Sequence, residues 1–256
     1  MLNFLRGLKH RVVRYVVSSV ENLGARLIIR HLRGRICSGP FRAIRISGRE
    51  LFGGKTAKLL GTYELELQTT LEKIERLQPS VALNIGGADG YYAVGMAAAW
   101  GVEKVIVFEL TAEGRELIAA NADLNCIGHQ LDIHGVCTEK NLAETLKNES
   151  VELLIMDIEG AELDILEPEV LRELENCVVI VESHDFCRPG CIDELCGRFQ
   201  DTHVIEVVTS KKRIARNFPY TSFMPAFLKK RLMDEGRPDS MQWLVGFPRS
   251  EISTVR

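Results

Sequence analysis

Two periods alternate along this chain. Short runs of aliphatic residues, each the length of one strand and bounded by turn residues, are separated by stretches in which apolar positions recur every three or four residues, as on one face of a helix. The pattern predicts strands over 81–85, 103–109, 131–136, 152–157, 178–182, 203–208 and 242–247. It predicts helices over 62–77, 90–100, 112–125, 139–147, 162–174 and 190–199, with Gln78-Pro79 stopping the first of them. Strands alternating with helices are the signature of an α/β fold with a parallel, doubly wound sheet. No internal repeat or low-complexity tract interrupts it.

Two predicted strands end in chemistry. Val151-Glu152-Leu153-Leu154-Ile155-Met156 runs into Asp157-Ile158-Glu159-Gly160-Ala161-Glu162, which sets three carboxylates just past the carboxyl end of a central strand, where open α/β sheets bind ligands. Upstream, Val81 to Ile85 runs into Gly86-Gly87-Ala88-Asp89-Gly90-Tyr91-Tyr92, a turn tight enough to let backbone approach a ligand. This is not the G-x-G-x-x-G of dinucleotide sites. Counted from Gly86, the second and third glycines fall on Ala88 and Tyr91, and Asp89 puts negative charge where a pyrophosphate must sit. An acidic loop favours S-adenosylmethionine, which carries an ammonium and a sulfonium and no phosphate. The next strand ends at Glu109, an acid suited to accept both ribose hydroxyls.

Four ordered pieces carry a family likeness: Asn84 to Tyr92, Val107-Phe108-Glu109-Leu110 followed by Asn121 and Asn125, Asp157 to Glu162, and Val179 to His184. From roughly Gly61 to Glu182 the chain resembles the FkbM-type S-adenosylmethionine-dependent methyltransferases. The resemblance implies a Rossmann-like methyltransferase fold with a seven-stranded, mostly parallel sheet. It also implies that Gly86, Gly87, Ala88, Asp89, Gly90 and Tyr91, with Glu109 and Leu110, hold the cofactor, while Asp157 and its neighbours face the reacting centre. The chain departs from the family at Asn84, where an acid is usual, so the cofactor's amino group would lean on Asp89 or on Glu64 from the preceding helix.

The reaction expected is methyl transfer to the oxygen of a small-molecule or sugar hydroxyl. His184 is the candidate general base, since an imidazole of ordinary pKa near ~6.5 can take a proton at neutral pH. Asp157 and Glu159 orient the acceptor or assist His184. Asp157 with Asp185 would also suit magnesium or manganese, although no metal is assigned. A zinc site from His184, Cys187, Cys191 and Cys196 lacks the usual C-x2-C pair. The competing readings are a non-catalytic cofactor-binding or membrane-associated protein that keeps the fold, and a nicotinamide oxidoreductase, which the loop spacing disfavours.

Composition refines this picture. Among the 256 residues, 46% are hydrophobic and 26% charged, which suits one α/β domain plus an extension, here 1–60 and 61–256. Seven cysteines at irregular spacing suit thiols in a reducing compartment, and no segment reaches the ~20 apolar residues of a membrane span. A cytoplasmic location is expected. Net charge is uneven: residues 1–49 hold eleven Lys or Arg and one acid. Leu5, Leu8, Val12, Val16, Val20, Leu23 and Leu27 recur there at helical spacing among arginines, a basic amphipathic helix that would pack on the domain, self-associate, or lie on an anionic membrane. Nucleic acid is not expected as a partner. The polar insertion 209–240 could supply Arg213, Arg216 and Tyr220 to a substrate.

Overall fold

Seven strands form one sheet in the order β3-β2-β1-β4-β5-β7-β6. They are β1 (Val81–Ile85), β2 (Lys104–Phe108), β3 (Leu131–His134), β4 (Leu153–Met156), β5 (Val178–Ser183), β6 (His203–Thr209) and β7 (Gln242–Pro248). The first five pair in parallel, and β7 lies antiparallel between β5 and β6. The structure, a computed structural model, describes residues 26–28, 30–47, 54–219, 224–237 and 241–252. Most of the expected N-terminal amphipathic helix, and Tyr220, lie outside the described residues.

The uninterrupted apolar runs follow from burial on both faces of the sheet. On one face Leu83, Leu154 and Val179 pack against Leu142, Leu163, Val170 and Leu195; on the other, Ala82, Ile155 and Ile180 pack with Leu71, Tyr91, Val94 and Trp243. Each Leu, Ile or Val side chain among these contributes about 1.5–3 kcal/mol on removal from water.

Three helices depart from the pattern. The helix expected from residue 62 begins at Gln68, because Gly61 and Glu64 adopt left-handed backbone, at φ 68° and 45°. Lys55–Leu60 is a separate short helix before that turn. The helix expected over 162–174 is split into Glu162–Ile165 and Pro168–Glu173, since Pro168 has no N–H to continue the ladder. The helix opening at Tyr91 finishes in a π-turn over Met96–Trp100.

The core runs through the expected boundary at residue 60. Ile36, Phe41, Ile44 and Ile46 are buried in the same cluster as β1, and the Phe41 ring meets Tyr91 edge-on at 5.1 Å. Asn121 and Asn125 clamp this segment down. Asn125 exchanges two hydrogen bonds with the Arg45 backbone, at 2.8 and 2.7 Å, and the Ser47 N–H donates to Asn121 Oδ1 at 2.6 Å. The Asn121 amide in turn donates to the Asp89 carbonyl at 2.7 Å. Asn121→Ala is therefore expected to cost about 2 kcal/mol in urea unfolding, as buried groups on both sides lose their partners; a change under about 0.5 kcal/mol would contradict the clamp. Among the described residues no helix is long and apolar enough to cross a membrane.

Candidate functional site

β1 connects to β2 on one side of the sheet and has β4 as its other neighbour, so the strand order reverses beside β1. At the carboxyl ends of these strands lies a cavity of about 440 Å³, within the range of small-molecule sites. Its walls come from the two loops singled out by sequence, from the ends of β2 and β5, and from the segment 235–237.

The first loop is held against the fourth strand's end by a contact that only glycine permits. Gly86 has φ 83°, and a Cβ there would lie 1.7 Å from the Asp157 carbonyl oxygen. At Gly87 a Cβ would meet Val107 Cγ1 at 2.5 Å, so this glycine lets the following helix settle onto β2. Ala88 and Glu159, both on the cavity wall, are non-glycine residues at φ 48° and 58°, a strained conformation of the kind that gathers at functional sites. Glu109 ties the loops together: its carboxylate accepts from the Ala88 N–H at 2.8 Å and from the Thr111 N–H and hydroxyl at 2.8 and 2.6 Å.

Of the residues expected to hold a cofactor, Gly86, Ala88, Glu109, Leu110 and Asp157 line the cavity, and the other six do not. Asp89 forms a buried ion pair with Lys58 Nζ at 2.6 Å. The loop's acid is therefore neutralised within the protein, and Lys58 itself reaches the wall. Glu64 sits in the turn rather than in a helix; Arg237 and the Tyr92 hydroxyl donate to its carboxylate. Burial, opposed by Arg237 and reinforced by Glu182, lifts Glu64 to about 7. Asn84 donates to the Ile155 carbonyl at 3.3 Å across to β4, leaving its buried Oδ1 without a partner. Gly87 and Gly90 shape the turn, and Tyr91 packs between Phe41 and Tyr63.

His184, Asp157 and Glu159 do come together. The imidazole is 1% exposed, with Nε2 at 3.5 Å from Asp157 Oδ1 and 3.4 Å from Glu159 Oε2. Its Nδ1 is 2.6 Å from Glu162 Oε1, and Glu162 is fully buried. That bond fixes the ring and leaves Nε2 facing the cavity. One expectation needs correction. Burial favours the neutral ring, but the hydrogen bond and charge of Glu162, and the charges of Asp157 and Glu182, outweigh it and raise His184 to about 9. Asp157 is also raised well above the carboxylate range, by burial first and then by Glu182 and Glu64.

Asp185 is not beside Asp157 as a metal partner. Its carboxylate accepts from the Gly190 and Ile192 N–H groups at 3.1 and 3.2 Å, fixing the start of the helix Cys191–Phe199. Among the described residues the donors that do converge, within 4.8 Å, are Asp157, Glu182 and His184. Glu182 is already engaged, accepting from Arg237 at 2.5 Å and from the Trp243 indole at 3.1 Å. Cys191 is core, and among the described residues no cysteine is in a disulfide.

Lys58, Tyr63, Glu235 and Arg237 stand on the wall without having had a signal as site residues in the sequence. Glu182 and the supporting Glu162 stand inside the quoted motifs and could have been found as acids at strand ends. Arg213, expected near substrate, is tied up with Glu66 and Glu235, and Arg216 is exposed away from the wall.

Residues 130–231 match the methyltransferase FkbM domain. The matched stretch contains Asp157, Glu159, Glu162, Glu182 and His184; the glycine loop and Glu109 precede it. Solved structures similar to the chain include a precorrin-6y C5,15-methyltransferase from Geobacter metallireducens, at 8% identity and TM-score 0.47, covering 70% of this chain and 88% of that one. Another is a precorrin 8w decarboxylase from Methanobacterium thermoautotrophicum, at 14% identity and TM-score 0.44, covering 68% and 89%. No curated protein matches the chain.

Proposed function

We propose that this protein is an S-adenosylmethionine-dependent O-methyltransferase acting on a hydroxyl of a small molecule or sugar. The observation that carries the reading is the Glu162–His184 pair, with Nε2 turned into the same cavity that Gly86, Glu109 and Asp157 line. The acids on the wall support the cofactor: Glu109, Glu159, Glu182 and Glu235, with Asp157 held towards its neutral form, face the cavity together with Lys58, His184 and Arg237. Asp157 Oδ1 is buried without a hydrogen-bond partner. Such a site suits a ligand that brings positive charge. Glu109 suits a ribose hydroxyl, since three of a carboxylate's roughly four acceptor positions are taken and one is open. Leu110 and Val136, exposed on the wall, offer apolar faces to a base.

S-adenosylmethionine, when bound, supplies an electrophilic methyl on a sulfonium and leaves as the neutral thioether. The residues' part is to hold the acceptor oxygen in line with that methyl, a proximity effect worth at best about 7–11 kcal/mol, and to remove its proton. His184 Nε2 takes the proton, Glu162 holds Nδ1–H and stabilises the imidazolium formed, and Asp157 and Glu159 orient the hydroxyl. At pH 7 the ring is mostly protonated in a cavity without a cation. Positive charge brought into the cavity by a cationic ligand would lower His184 towards neutrality and so favour its role as base.

The test is calorimetry with S-adenosylhomocysteine. Micromolar binding is expected, weakened about tenfold by Glu109→Ala as a ribose contact worth about 1.4 kcal/mol is lost. No binding by the wild-type protein would overturn the cofactor assignment.

A further inference from the structure

Behind the segment 235–237 lies a second cavity, of about 570 Å³, which the proposed reaction does not use. Glu235 and Arg237 line both cavities, and Trp243, which donates to the catalytic cavity's Glu182, lines this one. Lys211, Lys212, Arg213, Lys230, Arg231 and Arg237 line it with Glu66, Asp234 and Glu235, and Arg237 also pairs with Glu64 and Glu182.

The acids present are all matched by arginines. Glu66 is held by Arg213, Glu235 by Arg213 and Arg237, and Asp234 by Arg231 at 3.1 Å. Among the described residues no carboxylate lies within ion-pair distance of the Lys211 or Lys230 ammonium groups, which reach the pocket from opposite ends of the insertion, one after β6 and one on the helix Ala226–Leu232. The pocket also has an apolar side: Phe227, 56% exposed, and the Trp243 ring. Cations beside an exposed aromatic ring fit an anionic group carried on an organic body better than a bare ion.

We infer that this pocket binds the phosphoryl group of an organic phosphate, next to the catalytic cavity with which it shares Glu235 and Arg237. Binding of this group does not depend on the methyltransferase reading. The phosphate is carried either by a soluble ester or by a lipid headgroup; the chemistry recognised by Lys211 and Lys230 is the same.

The experiment is titration of the full-length protein with glucose 6-phosphate, and sedimentation with vesicles of phosphatidylcholine containing phosphatidic acid. S-adenosylhomocysteine binding is measured in parallel. Lys211→Glu/Lys230→Glu, and the milder Lys211→Gln/Lys230→Gln, change exposed side chains, and each is checked by its thermal melt. Millimolar or tighter binding of the sugar phosphate, weakened at least tenfold in both variants and by raising salt from 0.05 to about 0.5 M, with S-adenosylhomocysteine affinity unchanged, is the result expected for a soluble ester. Vesicle binding alone, lost in the variants, assigns the phosphate to a lipid. Wild-type protein that binds neither, or variants that bind either as well as wild type, overturns the pocket. Failure of S-adenosylhomocysteine binding with phosphate binding intact overturns the cofactor reading instead.

Discussion

Glu162→Gln is expected to lower kcat roughly a hundredfold while leaving S-adenosylhomocysteine affinity within about twofold of wild type. The substitution keeps shape and an acceptor for the Nδ1–H 2.6 Å away, so the ring stays in place. What disappears is the charge that stabilises the imidazolium as the acceptor's proton arrives, an effect of general-base catalysis worth typically 10²–10⁴. The pH profile separates this from a merely structural role. Glu162 supplies the two largest influences that raise His184 to about 9, so without it the pKa falls. The acidic limb of kcat, along which activity rises as the base loses its proton, should move to lower pH in the variant. The defect then shrinks as pH falls. His184→Ala should lose the limb altogether, with kcat down by about 10²–10⁴. A Glu162→Gln enzyme with wild-type kcat and an unshifted limb would remove the pair from the mechanism.

The sequence made legible whatever depends on local periodicity. Val81 to Ile85 and Leu153 to Met156 read as buried strands because both faces are covered, and the acids after them read as a site because a strand end fixes where the next residue goes. It misled where tertiary charge pairing decides. Asp89 looks like a free acid in a glycine loop, yet Lys58, 31 positions earlier, cancels it. Glu64 looks like a helical acid available to a ligand, yet Arg237, 173 positions away, occupies it. Nothing in the composition of the insertion indicates which of its arginines turns inward: Arg213 and Arg237 do, and Arg216 does not. The pKa of His184 was illegible for the same reason, since its neighbours Asp157, Glu162 and Glu182 arrive from two strand ends and a helix. Helix boundaries failed where one residue overrode the pattern, Glu64 by its left-handed backbone and Pro168 by its missing donor.

Those same raised pKa values set how stability depends on pH. His184 binds its proton more tightly in the folded protein, at about 9, than at its ordinary 6.5. Its contribution is therefore complete below about pH 6.5 and is lost as pH rises through 9. From pH 7 to 10 the loss should be about 2–3 kcal/mol, at about 1.4 kcal/mol for each unit between the two values. Glu64, lifted to about 7 by burial, acts with the same sign at lower pH, its contribution fading from about 4.5 upwards. Glu66 works the other way: buried, but pulled below the usual range by Arg213, it contributes above its ordinary value and is lost only in acid, outside this window. Urea unfolding of the unliganded protein at pH 7 and pH 10 checks the prediction, with His184→Gln as the control that should reduce the slope by the His184 share, the rest coming from half-buried thiols such as Cys137, which burial raises to about 12. A wild-type stability that is level or rises over that range would mean that the carboxylates around His184 do not hold its proton. If the slope is found, S-adenosylmethionine should bind with release of protons near pH 8, because its sulfonium supplies the positive charge that the imidazolium otherwise provides. The neutral thioether product should release fewer.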